Sequence, residues 1–130
     1  LELYLDHQDA NISQLLDLQK RLESGVLGLF PTAIVIGHDS PRLPQTTCIS
    51  FPGVDRQALM MALDVAGVCC STGSACASGS SEPSPVLTAM GLTEGVIEGA
   101  IRFSLSIFNS PAEVDAVIEI LSEILPLLSD

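Results

Sequence analysis

Residues 46–70 read TTCISFPGVDRQALMMALDVAGVCC. The first six residues are rich in β-branched and aromatic types and read as a strand, closed by Pro52-Gly53. Asp55 then caps a helix that runs through Ala66, with Leu59, Ala62, Leu63 and Ala66 turned inward and Gly67 past its end. Residues 68–70 (VCC) read as a short buried strand. Strand, helix and strand follow one another with short connections, which is the pattern of a mixed α/β unit.

The reading extends in both directions. Upstream, residues 10–27 carry Ile12, Leu15, Leu16, Leu22 and Val26 on one helical stripe. Asn11 and Gln14 resemble a capping box, and Gly28 and Pro31 stop the helix. Residues 32–36 (TAIVI) read as a strand and residues 37–44 as a polar turn. Downstream, Ser84-Pro85 opens a short helix that Gly91 ends. Thr93 can cap another short turn, and residues 101–105 (IRFSL) read as a strand. Ser110, Pro111 and Glu113 form a helix start, with Val114, Val117, Ile118, Leu121 and Leu125 as the apolar face behind it. Pro126 is expected to kink or end that helix. The expected architecture is an α/β sandwich of two layers: a small sheet of about four strands covered by helices, with residues 1–130 as a single domain.

Composition bounds the function. The 130 residues are one domain's worth. With 47% hydrophobic residues, disorder is excluded as the main state. The net charge of −11 repels phosphate backbones, so nucleic acid is not an expected partner. No apolar run approaches the ~20 residues of a membrane span, and no export signal is read at the start. The four cysteines, Cys48, Cys69, Cys70 and Cys76, read as reduced thiols of a cytoplasmic protein. They lack paired metal-ligand spacing, and His7 and His38 are distant in sequence, so no metal site is expected.

Residues 71–81, STGSACASGSS, contain nothing charged and nothing larger than Cys or Thr. Such a run cannot bury enough surface to fix itself and is expected to be a mobile loop. Cys76 within it is either a chance cysteine in a small-residue linker or an exposed, movable nucleophile. The loop holds no Lys, Arg or His to activate the thiol. Cys69, Cys70 and Cys48 read as core residues. Arg102, between Ile101 and Phe103, either faces solvent or places a guanidinium to grip a carboxylate by two hydrogen bonds. Lys20, the only lysine, falls off the apolar stripe of its helix and reads as solvated. His38 reads as a turn residue.

The stretch from Arg42 to Leu105 closely resembles the C-terminal part of group I (NifS/IscS-like) cysteine desulfurases, of the class V aminotransferase family. The most specific matches are Ser74-Ala75-Cys76 with Glu82-Pro83-Ser84, and Ile101-Arg102-Phe103-Ser104. The similarity covers about residues 10–125. It implies the small C-terminal domain of a fold type I pyridoxal phosphate enzyme that converts L-cysteine to L-alanine. Cys76 would take the sulfur as a persulfide, and Arg102 would hold the substrate carboxylate. The sulfur would pass to an acceptor protein, such as an iron–sulfur cluster assembly scaffold or a tRNA-thiolation protein. The full-length enzyme would be a homodimer. Gln45 departs from the family's usual Asn. The large domain, with its Schiff-base lysine, is expected to be absent from these residues, so the 130-residue chain alone is expected to bind no cofactor and to be inactive. The alternative is a stand-alone sulfur carrier that receives persulfide from another protein.

Overall fold

A computed structural model describes residues 7–72 and 84–129. The elements, in chain order, are α1 (Gln8–Leu29), β1 (Ile34–Val35), β2 (Thr46–Ser50), α2 (Arg56–Val65), α3 (Pro85–Ala89), α4 (Glu94–Glu98), β3 (Ala100–Ser104) and α5 (Pro111–Leu128). The strands form one antiparallel sheet in the order β1-β2-β3. The expected two-layer α/β arrangement is present, with three strands among the described residues where about four were expected.

The missing strand has a physical explanation. Residues 68–70 were expected to pair as VCC, but the end of α2 uses part of that segment. Gly67 adopts φ +88°. Its N–H donates to the Asp64 carbonyl (3.0 Å), and the Val68 N–H donates to the Leu63 carbonyl (2.8 Å). This double bond pattern is a Schellman termination, which needs a left-handed residue just past the helix. Only at Ser71 does the chain reach the sheet, exchanging two hydrogen bonds with Arg102.

The core lies between the sheet and the helices. Leu18, Leu22 and Val26 recur every four residues along α1 and are buried. Leu59 and Leu63 of α2 and Val114, Leu121 and Leu125 of α5 complete the helical side. Val35, Ile49, Ile101 and Phe103 supply the sheet side. The apolar stripe of α1 was placed too far toward its start: Ile12 and Leu16 are exposed. The Asn11/Gln14 capping box does not form. The helix begins at Gln8, and the Gln14 amide instead donates to the Ile107 carbonyl at 2.8 Å. In α2, Leu59 and Leu63 point inward as expected, but Ala66 is exposed.

Two predicted helix starts are confirmed in detail. Asp55 accepts a hydrogen bond from the Ala58 N–H (2.9 Å). Ser110 and Glu113 form a reciprocal capping box. Pro126 does not end α5, which continues to Leu128. It falls within the last turn, where the missing N–H removes one hydrogen bond while Leu125 stays buried and Leu128 packs on the core.

Candidate functional site

Alternation along the strands divides the sheet into two faces. Thr47 and Ile49 of β2 and Ile101 and Phe103 of β3 are buried toward the helices. Their neighbours Thr46, Cys48, Arg102 and Ser104 therefore point to the opposite face. At one end that face is covered, because the Ser50 hydroxyl donates to the Val96 carbonyl of α4 (2.6 Å). Toward the other end, among the described residues, Cys48 and Arg102 are partly exposed and Ser104 is exposed.

Arg102 sits in the middle of a row of three residues. Ser71 pairs with it on one side and Cys48 on the other. The Arg102 N–H donates to the Ser71 carbonyl (2.8 Å), and the Ser71 N–H donates to the Arg102 carbonyl (3.1 Å). Both backbone groups of Arg102 thus point to Ser71, so its pairing with Cys48 is of the non-hydrogen-bonded kind. In such pairs the Cα atoms approach to about 4.5 Å and the side chains are closest. Burial pushes the Cys48 thiol up to about 11, against a smaller opposing pull from the Arg102 charge. Cys48 is therefore a neutral thiol at physiological pH.

The guanidinium of Arg102 differs from the others in the chain. Arg21 forms a two-pronged pair with Asp115 (2.7 Å each). Arg42 pairs with Glu23 at 2.7 Å, and Arg56 is buried and partnered. Among the described residues Arg102 has no carboxylate within ion-pair distance. A partly exposed arginine, fixed by backbone bonds on a strand and without a carboxylate partner among the described residues, is suited to hold a carboxylate from outside.

The other candidates are distributed differently. Cys76 lies outside the described residues; the chain leading to it leaves Ser71 beside Arg102 and is described as far as Thr72. Cys69 was expected in the core but is exposed. It lines an apolar cleft of about 490 Å³ between residues 66–69, the end of β3 and α5. Neither Arg102 nor Cys48 lines that cleft. Cys70 is partly buried, and burial, with Cys69 and Asp64 nearby, pushes its thiol up to about 11. Lys20 is exposed on α1, in the helical layer, while Arg102 faces the other side of the sheet. His38 is an exposed turn residue whose Nε2 lies 3.0 Å from Asp39. Among the described residues no cluster of three His, Cys, Asp or Glu side chains can hold a metal ion. None of their helices is long and apolar enough to cross a membrane.

Residues 5–117 match the class-V aminotransferase family. The chain belongs to that family. It is 46% identical over 111 residues to a cysteine desulfurase of Cereibacter sphaeroides, covering 85% of this chain and 29% of the relative. A cysteine desulfurase of Nostoc is 43% identical over 127 residues, covering 98% of this chain and 32% of the relative. The X-ray structure of a NifS-like protein from Rickettsia africae superposes with a TM-score of 0.82 at 33% identity, covering 95% of this chain and 31% of that one. The chain thus spans about three-tenths of the length of these class-V relatives. The family uses pyridoxal phosphate, and the residues described here do not fit that group by themselves. The chemistry requires a lysine to form a Schiff base, and the only lysine in the sequence, Lys20, is on the exposed side of the helical layer.

Cys48 is a neighbour of Arg102 that the sequence alone places in the core. Its signal was present in the alternation of TTCISF, which places 46, 48 and 50 on one face. Pairing it with Arg102 required the register between strands that are about fifty residues apart in the chain.

Proposed function

We propose that this chain is the thiol-bearing, C-terminal part of a cysteine desulfurase that converts L-cysteine to L-alanine. Arg102 grips the substrate carboxylate, and Cys76 is the nucleophile. The thiolate of Cys76 attacks the substrate sulfur: an S–S bond forms and the substrate Cβ–S bond breaks. The electron pair returns to carbon, which takes a proton to become alanine. The persulfide on Cys76 then passes to an acceptor protein, an iron–sulfur assembly scaffold or a tRNA-thiolation protein. Pyridoxal phosphate would supply the electron sink, and its Schiff-base lysine is assigned to protein outside these 130 residues. The working form is a homodimer in the cytoplasm.

The observation that carries this reading is the placement of Arg102. Arg102 has no carboxylate partner among the described residues, and its backbone is bonded to Ser71. Cys76 follows Ser71 by five residues. A fully extended chain of that length spans at most about 18 Å, so covalent tethering keeps the thiol within reach of anything held at Arg102. The test is Arg102→Gln in the full-length protein. A charge-assisted bond to a carboxylate contributes about 1.5–3 kcal/mol, so kcat/KM for L-cysteine should fall by roughly 10- to 150-fold, mostly through KM, with little change in melting temperature. An unchanged KM with a lowered melting temperature would make Arg102 a structural residue and remove the reading.

A further inference from the structure

Arg102 is open to a carboxylate only if its neighbours leave it so, and Cys48 is the closest of them. The two form a non-hydrogen-bonded cross-strand pair on the open face, the pairing in which side chains approach most closely. An acidic residue at this position would lie within ion-pair distance and fill the guanidinium. A long side chain would cover it. We propose that Cys48 is a specificity-determining residue of the carboxylate site: a short, uncharged side chain that does not itself pair with Arg102 and borders the part of the ligand next to its carboxylate.

The proposal rests on the reading of Arg102 as a carboxylate grip, and it adds a second residue whose identity governs what that grip accepts. Ser71, on the opposite flank of Arg102, is also short and uncharged, so the site is a cationic slot between two small walls. One wall is a hydroxyl and the other a thiol. The thiol wall is softer and more apolar, which suits the carbon or sulfur side chain of a small amino acid. Because burial holds the thiol neutral, it does not compete with the ligand for the charge of Arg102.

Two carboxylate probes test this in the full-length protein. Iodoacetate bound at Arg102 presents its iodomethyl carbon to Cys48. At pH about 10, where a fraction of the Cys48 thiol has lost its proton to solvent, the thiolate sulfur displaces iodide, and an S–C bond forms as the C–I bond breaks. Iodoacetamide has the same reacting carbon and no charge. The rate ratio of iodoacetate to iodoacetamide at Cys48 should exceed the ratio at exposed Cys69 by at least about tenfold. Excess L-alanine should remove the preference at Cys48 and leave Cys69 unaffected. Equal ratios at the two thiols, or no labelling of Cys48 by either reagent, would overturn the proposal. Independently, Cys48→Asp should raise KM for L-cysteine about tenfold or more, while the isosteric Cys48→Asn stays within about threefold of wild type. If both variants behave as wild type while Arg102→Gln raises KM, the proposal fails and the carboxylate grip stands. If Arg102→Gln itself leaves KM unchanged, the grip fails.

Discussion

At Cys48 the cost of burial has a measurable pH signature. Its thiol holds a proton up to about 11 in the folded chain, whereas a free cysteine releases it near 8.5–9. Between those values the native state binds a proton that the unfolded state has lost, so stability falls as pH rises. The contribution is fully present below about pH 8.5 and is lost on approaching pH 11. The shift corresponds to about 2–3 kcal/mol for Cys48. Cys70 shifts in the same direction but is half-exposed, so solvent screening reduces its share. Urea unfolding between pH 8 and 11 should show this decline, and Cys48→Ala should flatten most of it. An unchanged slope in that variant would mean that the thiol is not desolvated. The residue scale was unevenly legible from sequence. Arg102 stood out as one charge inside an apolar strand. Cys69 was misread because adjacent cysteines in an apolar run suggest a strand, and the Schellman turn at Gly67 that swings Cys69 outward depends on hydrogen bonds back to α2.

Between elements, α1 is fastened to β2 by a polar cluster. Glu23 accepts from Arg42 (2.7 and 3.3 Å) and from the Thr47 hydroxyl (2.7 Å). Gln19, itself buried, donates to the carbonyls of Leu43 (3.1 Å) and Thr46 (2.8 Å). Removing Glu23 leaves Arg42 and buried Thr47 without their acceptor, the situation in which a broken pair costs about 3–5 kcal/mol. The Arg21–Asp115 pair has equally short bonds, but both side chains are about half exposed, and solvent screens exposed pairs so that they contribute little. Glu23→Ala should therefore lower stability clearly and Arg21→Ala far less, measured by denaturant unfolding. Equal effects would contradict the burial argument. Another close contact is at Gly99, where an added Cβ would overlap the Phe51 backbone. The Phe51 N–H donates to the Gly99 carbonyl at 2.9 Å, so the absence of a side chain lets α4 and β3 meet the end of β2. The helix starts at Asp55 and Ser110 were legible, because a cap is a local arrangement of a few consecutive residues, whereas the one read at Asn11 does not form. The buried network was not legible, since it joins residues about twenty apart through side chains that also suit a solvated surface.

At the scale of the fold, the helical layer encloses the core, and among the described residues none covers the opposite sheet face around Arg102 completely. Several large apolar side chains are also left at the surface, Val65 at 90% exposure and Phe108 at 88% among them. The charge inventory has one lysine, on the side away from the open face. The 130-residue chain mixed with pyridoxal phosphate should therefore retain none through gel filtration, read by absorbance of the protein fraction. Cofactor retained by the chain and lost in Lys20→Ala would show that the only lysine serves the chemistry after all. The two-layer architecture was legible at this scale because the order of strands and helices with short connections admits few arrangements. Which sheet face stays open was not, because strand alternation assigns two faces without saying which one the helices cover.

The proposed acceptor of the substrate sulfur is Cys76. Full-length protein, loaded with pyridoxal phosphate and given L-cysteine, should be alkylated without reductant, digested and analysed by peptide mass spectrometry. The account predicts one additional sulfur atom on the peptide containing Cys76, absent without L-cysteine and absent in Arg102→Gln at substrate levels that saturate the wild type only just. Alanine formed with no additional sulfur on Cys76, or with the sulfur on Cys48, Cys69 or Cys70 instead, would contradict it.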